Sequence, residues 1–409
     1  MAFSPDQPNA TPPAVSSETD QRGSAADHRA TRQVLTGRAA AAFSATPRTP
    51  TELAWRQLKR NPMAMTGLWI IVALYTIALF APFLAPYDPQ DQVPGKLESA
   101  AFHPPMRIRF REANGTWHLR PFVYATELRF TDYRDLTYPL VAGKVCPIHF
   151  FVSGAPYRLF GVIPCSIHLF GVNNGSRIFL LGSDEFGRDY LTRMLYGGQI
   201  SLSVGLIGIA ITFTLGLLVG GISGYYGGVV DDMIQRVCEV IMSIPDFFLL
   251  LALASALPPT MPPVEVYILI IVILSLIGWA GMARIVRGMV LSVREREYVE
   301  AGRALGLSDL TLIRRHILPS TFTYSIVAAT LSVPGYILAE AGLSFLGLGI
   351  RDPMASWGNM LSAAQNLATL TSRPWILAPG FAIFVTTLSF NFLGDGLRDA
   401  LDPKSRRLG

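Results

Sequence analysis

Three acidic residues, Glu239, Asp246 and Glu340, interrupt segments that are otherwise apolar. An ionised side chain within a bilayer costs on the order of 3 kcal/mol, so it normally faces a cavity or a partner. The three acids form no paired carboxylate motif of the kind that general acid–base catalysis uses. We therefore assign no catalytic residue. Glu340 and Asp246 are candidates for facing a cavity between the apolar segments; the alternatives are burial in the helix bundle for Glu340 and a position near the membrane boundary for Asp246.

The remaining ligand-type residues indicate no metal site and no nucleotide site. The six histidines show no ligand spacing, and Cys146, Cys165 and Cys238 match no zinc motif. Cys146 and Cys165 either pair in an oxidising compartment or stay as free thiols. The chain contains no GxxxxGK[ST] phosphate loop. We expect no cofactor in this chain.

A charged, glycine-punctuated segment at 294–319 lies between two apolar stretches. Its first half has one charged and one apolar face with helical spacing. The charged face carries Arg296, Glu300 and Arg303, and the apolar face carries Tyr298, Ala301 and Leu305. Because such a polar hairpin cannot remain in lipid, we expect it to face water and another protein.

The second half of this segment predicts a turn and a second helix. Gly306 lies where a left-handed residue would end the first helix. Ser308 or Asp309 can cap the second helix. Its apolar stripe is predicted to be Leu310, Ile313 and Ile317. Pro319 is predicted to stop this helix before the next apolar stretch.

Composition places the elements around this hairpin in a membrane. Half of the 409 residues are hydrophobic and 15% are charged, whereas soluble proteins carry about 25% charged residues. The modest net charge of +5 is spread between loops, which argues against nucleic acid binding. Apolar stretches long enough to cross a bilayer predict six spans, near 63–85, 199–221, 233–257, 266–283, 322–339 and 375–393.

The chain divides by composition into four regions. Residues 1–60 are predicted to be a disordered tail, ending in a basic amphipathic lead-in whose Trp55 and Leu58 face the membrane surface. The first span occupies 61–86, a β-rich insert 87–181, and the helical core 182–403. In the insert, Asn114-Gly115 predicts a type I′ hairpin, and Asn173-Asn174-Gly175 predicts a second one, between 167–172 and 177–181.

Lysine and arginine clusters orient the spans. Short flanking loops rich in these residues stay in the cytoplasm. The clusters precede the first span and follow the fourth and sixth; they comprise Arg56, Lys59, Arg60, Arg284, Arg287, Arg294, Arg296, Arg398, Lys404, Arg406 and Arg407. Both termini and the hairpin are therefore predicted to be cytoplasmic, and the insert external.

Several motifs carry a resemblance to a known family. Glu300-Ala301, Gly306 and Ile317-Leu318-Pro319 resemble the coupling loop of ABC importer permeases. Further segments are similar to the dipeptide/oligopeptide/nickel branch, in its second or C-type permease. These are Leu181–Asp189, Gly224–Gly228, Ser243–Pro245, Glu340–Gly349, Ser356–Gly358 and Gly394–Asp399. The resemblance covers the first span and 181–403, whereas the long tail and the large insert depart from the compact family pattern.

The resemblance implies an all-α polytopic membrane protein with the type I ABC importer permease fold and six transmembrane helices, here with a small β-rich external insert. It implies a non-enzymatic pore subunit in a bacterial inner membrane. Its expected partners are two ATPase subunits that bind the ATP, a second permease, a substrate-binding protein and a peptide. Coupling would use Glu300, Ala301, Arg303, Gly306, Ile317 and Pro319. Glu340 and Asp246 would be the candidates for lining a translocation path.

Other expectations and alternatives accompany this resemblance. The segment before the second span would form an interfacial helix with Arg188, Asp189 and Arg193 facing outward. The cargo could instead be nickel chelates or glutathione-like compounds. A membrane sensor or a membrane enzyme with an external β domain is the alternative from a different class. The insert could seat the binding protein, cap the pore mouth or only stabilise the fold.

Overall fold

The computed structural model describes residues 50–92, 100–132, 135–172 and 177–401. Three predictions fall outside these residues. They concern the tail at 1–49, the turn at Asn173-Asn174-Gly175, and the C-terminal cations Lys404, Arg406 and Arg407.

The part of the chain that the structure describes is dominated by long helices. Five helical stretches are long and apolar enough to cross a membrane, or six if one bent pair counts as a span. The long helices are α1 (Pro50–Arg60), α2 (Pro62–Leu79), α4 (Tyr190–Tyr226), α5 (Gly228–Ser243), α6 (Asp246–Ser255), α7 (Pro263–Arg294), α8 (Glu297–Ala304), α10 (Leu318–Phe345) and α13 (Ala378–Leu401). The shorter ones are α3 (Ala81–Leu84), α9 (Asp309–Leu312), α11 (Trp357–Met360) and α12 (Leu367–Ser372), with 3₁₀ turns at Ser362–Gln365 and Pro374–Leu377.

The predicted third span is not one straight helix. Helices α5 and α6 meet at an angle of 79°. Ile244 is extended, with ψ 129°, and Pro245 has ψ 126°. A proline restricts the residue before it to extended conformations, so the helix must stop at Ile244. The span predicted near 233–257 is therefore broken at Ile244.

Helices α4 and α7 approach closely because glycines line their contact. A Cβ at Gly216 would meet the side chain of Met282, and one at Gly220 would meet the backbone of Ala283. Two small residues four positions apart, as Gly216 and Gly220 are, favour a close helix contact of this kind. Leu58, in contrast to its predicted position at the membrane surface, is buried against Ala64 and Ala400.

The segment between α3 and α4 contains six strands. They are β1 (Arg109–Arg111), β2 (Trp117–Thr126), β3 (Arg129–Asp132), β4 (Asp135–Thr137), β5 (Leu140–Leu159) and β6 (Ile163–Val172). Four of them form a sheet in the order β1-β2-β5-β6, with antiparallel pairing throughout, and β3 pairs with β4.

The two predicted hairpins fare differently. The hairpin at Asn114-Gly115 is present, but its turn is not type I′. Gly115 has φ 93°, whereas Asn114 is not among the residues with positive φ, and type I′ needs both. Gly115 N–H instead donates to the Glu112 carbonyl. The second hairpin prediction is wrong in its return strand, because 177–181 is not a strand. Strand β6 pairs with β5 around a turn at Phe160-Gly161.

The polar segment before α4 is folded inward, so the prediction of outward-facing Arg188, Asp189 and Arg193 is wrong. All three side chains are buried. Arg188 Nε donates to Asp184 Oδ2 over 2.6 Å, and both arginines bond to Asp352, over 3.0 and 2.8 Å. The attraction between these arginines and the two aspartates offsets the cost of removing their charges from water. The Asp189 carboxylate caps α4 by accepting from Thr192 N–H.

The insert contains two cysteines and a buried histidine. The cysteines are free: Cys146 lies opposite Val123 and Cys165 opposite Tyr157 in the sheet. His103 is buried, with its ring between Tyr138 and Phe179. Its Nδ1 donates to the Pro104 carbonyl over 2.6 Å, and its Nε2 lies 2.7 Å from Thr126 Oγ1.

The burial of His103 predicts that acid destabilises the insert. Burial lowers the pKa of His103 to about 4 from its usual 6.5. Between about pH 6.5 and about pH 4 the histidine is protonated in the unfolded state but neutral in the folded state. The free energy of unfolding therefore falls as the pH is lowered through this window, by on the order of 3 kcal/mol. Amide exchange protection of β2, compared at about pH 7 and about pH 4.5, should drop in the native chain and drop less in His103→Gln. The matched control is His149→Gln, on half-exposed β5. An unchanged acid response in His103→Gln would contradict this assignment.

Candidate functional site

The first helix of the charged hairpin turns an unexpected face inward. Val299 and Gly302 are the buried residues of α8. The predicted apolar face behaves differently: Tyr298, Ala301 and Leu305 are all exposed, with Leu305 at 82%. That face is therefore available on the outside of the molecule.

The turn after α8 agrees with the prediction for Gly306. Gly306 has φ 81°, in the left-handed region. Its N–H donates to the Arg303 carbonyl over 3.0 Å, and Leu307 N–H donates to the Gly302 carbonyl over 3.2 Å. These two bonds are the Schellman pattern, which satisfies the last carbonyls of a helix. The glycine is needed for its backbone conformation, since no atom lies within 4 Å of where its Cβ would be.

The second helix of the hairpin runs on without interruption into the membrane. Helix α9 is followed by a π-helical turn at Ile313–Ile317 and then by α10. The prediction that Pro319 stops the helix is wrong. Proline is tolerated in the first turn of α10, where its missing N–H is not needed, and the wide π turn absorbs the irregularity.

A small apolar cluster fixes the hairpin to the ends of α4 and α7. Leu312 and Ile317 are fully buried, beside Val290 and Val299. Leu310, predicted to belong to the apolar stripe, is instead 63% exposed. Gly302 allows the close approach, because a Cβ there would lie 2.9 Å from Leu312 Cδ2. Sequence reasoning missed Gly302 and Val299, although their spacing of three is a helical signal.

Polar contacts complete the attachment. Tyr225, at the end of α4, donates to Asp309 Oδ1 over 2.6 Å, and the Arg303 guanidinium lies 5.9 Å from the centroid of its ring. Arg294 Nη1 donates to the carbonyls of Gly224 and Tyr225 over 3.0 and 3.3 Å. A cation at these last carbonyls of α4 also complements the helix dipole.

The outer surface of the hairpin is both apolar and charged. Glu300 and Arg303 are exposed beside the apolar Tyr298 and Leu305. Of the six residues predicted for coupling, five are on the surface, namely Glu300, Ala301, Arg303, Gly306 and Pro319, whereas Ile317 is fully buried. The hairpin thus has an inner face that anchors it and an outer face without an intramolecular core.

A cavity of about 770 Å³ lies among the helices. Its wall includes Asp246 from α6, Arg284 from α7 and Tyr336 from α10. The Tyr336 hydroxyl shares a hydrogen bond with Thr212 Oγ1 over 2.5 Å. Gly281 and Gly335 also line the cavity, with open space where a Cβ would be. Small residues thus keep this space open, and the Asp246 side chain is exposed.

Glu340 occupies a different environment from Asp246. Its side chain is fully buried and is not among the residues that line this cavity. Its Oε2 accepts from Ser201 Oγ over 2.9 Å, and its Oε1 accepts from Ser344 Oγ over 2.7 Å. Ser201 Oγ also accepts from Trp357 N–H over 3.1 Å. Glu340 therefore joins α4, α10 and α11.

Comparison with known proteins identifies the family. A family model described as the inner membrane component of binding-protein-dependent transport systems matches residues 216–407. Another, for the N-terminal transmembrane domain of oligopeptide transport permease C, matches residues 49–105. The dipeptide transport system permease protein DppC of Bacillus subtilis is 36% identical over 359 residues, which is 87% of each chain. This chain belongs to the C-type permease family of these transport systems.

Other relatives give the same result. The oligopeptide transport system permease protein OppC of Haemophilus influenzae is 44% identical to the permease over 55% of this chain and 70% of its own. The glutathione transport system permease protein GsiD of Escherichia coli is 32% identical over 87% of this chain and 91% of its own. A solved methionine ABC transporter, MetNI, covers 51% of this chain at 19% identity and a TM-score of 0.40.

Family membership settles the broad class of the permease. It is a multi-pass component of the inner membrane and a transport subunit, not an enzyme. The family implies ATPase and binding-protein partners and a second permease.

The geometry of Gly306 predicts a conformational penalty without a steric one. Gly306→Val forces a β-branched residue to φ 81° and should destabilise the hairpin by about 1–2 kcal/mol. Gly306→Asn should cost less, because asparagine tolerates this conformation. Amide exchange across 299–313 in the purified permease measures both. Gly347→Val is the matched control, because Gly347 has φ 79° outside the hairpin. Equal effects of Val and Asn at position 306 would refute the conformational explanation.

Proposed function

We propose that the hairpin at 294–319 docks on an ATPase subunit and transmits its movement to the pore. The single observation that supports this most directly is the division of the hairpin into a buried inner face and an exposed outer face. Exposed apolar residues rimmed by charges are typical of protein interfaces. Tyr298 and Leu305 would supply the apolar contact, while Glu300 and Arg303 would supply polar contacts at its edge. Gly306 would hold the bend, and the buried Ile317 would connect the docked face to α10.

We assign the permease six spans with α5 and α6 as one broken span, and cytoplasmic termini. The positive clusters in α1 and at the C-terminal end of α7 support this orientation. The hairpin would then be cytoplasmic, and the strands between α3 and α4 external. A second, homologous permease would complete the pore, and two ATPase subunits would complete the transporter.

The cavity at Asp246 is our candidate for part of the translocation path. It is lined by residues of five helices, α4, α5, α6, α7 and α10, and includes the hydrogen-bonded pair Thr212 and Tyr336. The exposed carboxylate of Asp246 could meet a cationic group of the cargo. We assign Glu340 a structural role, because its carboxylate is fully enclosed by hydrogen-bond donors of the same chain.

Di- and oligopeptides are the proposed cargo. The names of the relatives from Bacillus subtilis and Haemophilus influenzae support this substrate class. Glutathione-like compounds are the second candidate, since a glutathione permease is similar over 87% of this chain. Competition of labelled dipeptide uptake by unlabelled oligopeptides and by glutathione, in the reconstituted transporter, would separate the two.

Altered charges on the outer face of the hairpin should uncouple the transporter. Glu300→Lys and Leu305→Asp should each reduce substrate-stimulated ATP hydrolysis by about tenfold or more, because a reversed charge, or a charge placed in an apolar contact, opposes docking. Neither side chain belongs to the buried cluster, so membrane insertion should be unaffected. Glu265→Lys, at the opposite end of α7 and also exposed, is the matched control. Normal stimulation in both hairpin variants would exclude this docking face.

Filling the cavity should block uptake without disrupting the assembly of the permease with the ATPase. Gly281→Leu introduces a side chain into open space within the cavity. We expect uptake to fall by about tenfold or more, because the closely packed helices around the cavity have little freedom to relax. Co-purification of the ATPase should be unchanged. Gly288→Leu, two turns along the same helix and also next to open space, should leave uptake near the native level. Equal uptake by Gly281→Leu and the native permease would remove the cavity from the path.

A further inference from the structure

The β5–β6 hairpin has a composition that a water-exposed hairpin rarely has. Between Lys144 and Arg177, Arg158 is the only aspartate, glutamate, lysine or arginine. The turn itself, Leu159-Phe160-Gly161-Val162-Ile163, is apolar apart from its glycine. Turns that face water are normally built from Gly, Pro, Asn, Asp and Ser. This tip lacks all of these except Gly161.

The apolar residues in the outer part of this hairpin, from Phe150 to Ile163, include several that are exposed. Phe160, Val162 and Ile163 at the tip are 48%, 78% and 54% exposed. Farther along the strands, Phe150 and Phe151 are 61% and 67% exposed. An exposed apolar patch of this kind marks a surface that something else covers. The rest of the structure indicates what that is.

The hairpin lies along the end of the first membrane helix, and the order of contacts gives its direction. Phe160 at the tip packs edge-to-face on Phe80, with ring centroids 5.4 Å apart. Phe151, farther from the tip, lies 6.4 Å from Phe83. At the level of Phe151, His168, which lies opposite Val152 in the sheet, contacts the Ala85 carbonyl through Nδ1 over 2.5 Å. The tip therefore points back along the span, toward the bilayer.

The level of the tip follows from the length of the span. Helix α2 has 18 residues and is about 27 Å long, close to the roughly 30 Å of the hydrocarbon core. Phe80 directly follows its last residue, so the Phe160 ring lies at about the edge of the hydrocarbon. Exposed apolar residues of α2 include Trp69 and Leu79, at 65% and 52%.

We propose that the β5–β6 hairpin inserts its apolar tip into the leaflet at which the first span ends. The occupant of the exposed patch is the bilayer interface itself. Phe160, Val162 and Ile163 would lie among the upper acyl chains, and the exposed Arg158 would lie at the level of the lipid phosphates. This second contact would hold the insert against the membrane surface. It depends neither on the ATPase docking face nor on the cargo.

The experiment places a polarity-sensitive fluorophore at the tip. Val162→Cys, in a permease whose Cys146, Cys165 and Cys238 are replaced by alanine, is labelled with nitrobenzoxadiazole. The labelled permease is reconstituted with its partner subunits in phosphatidylcholine vesicles. Quenching by a doxyl group high on the acyl chain is compared with quenching by aqueous iodide. Leu119→Cys is the matched control, because Leu119 is fully exposed on β2 of the same sheet.

The proposal expects opposite results at the two sites. The doxyl lipid should remove at least about half of the fluorescence at position 162 and little at position 119, with the reverse for iodide. Quenching at 162 by iodide alone would put the tip in water and overturn the proposal. Protection from both quenchers would mean that a protein partner covers the tip, which would also overturn it.

A second measurement avoids the cysteine replacements. Benzoylphenylalanine at position 162 of the otherwise native permease should crosslink to phospholipid on irradiation, as detected by mass spectrometry. The same group at position 119 should not. A crosslink from position 162 to another subunit, without lipid adducts, would overturn the proposal.

Discussion

Within the hydrocarbon core, a polar group must find its partner inside the protein, and the core of this permease is arranged around that constraint. Glu340 shows it most clearly. Ser201 and Ser344 donate to its two oxygens, and each serine also accepts a backbone N–H, from Trp357 and from Ile350. One buried carboxylate thus determines how α4, α10 and α11 meet.

The same helix, α10, joins the Glu340 cluster, the cavity and the hairpin. Its C-terminal end carries Glu340, and one turn earlier Tyr336 lines the cavity and shares a hydrogen bond with Thr212. Its other end begins at the π turn of the hairpin, without a break at Pro319. A displacement of the docked hairpin would therefore reach the cavity through continuous helical backbone. Because Gly302 and Val299 pack the hairpin on the ends of α4 and α7, those helices would move with it.

The insert depends on a different kind of contact. Its sheet is built around Phe122 and Val123, both buried, and its connection to the core uses His103, whose backbone N–H donates to Ser183 Oγ over 2.7 Å. At the other side of the sheet, the β5–β6 hairpin meets the end of the first span through Phe80 and Ala85. The insert is thus attached at two places, both at the point where the chain leaves the membrane.

Local signals in the sequence were sufficient for the features that depend on local physics. The apolar stretches predict the spans, and Gly306 predicts the left-handed turn. The break between α5 and α6 is not among the predictions, although Pro245 is a local signal for it. Each of these depends on a few consecutive residues, whose backbone preferences or hydropathy act without distant partners. The family also follows from such short motifs.

Only the tertiary structure decided which faces are buried. Periodicity shows that α8 has two faces, but Val299 and Gly302 face inward because the ends of α4 and α7 lie there, which leaves Tyr298 and Leu305 exposed. Arg188 and Arg193 read as surface residues until Asp352, far along the chain, neutralises them. Glu340 could have faced a pore or a bundle, and the serines that enclose it come partly from another helix. Burial of a charge depends on partners brought together by the fold, and the spacing of residues along one segment does not contain that information.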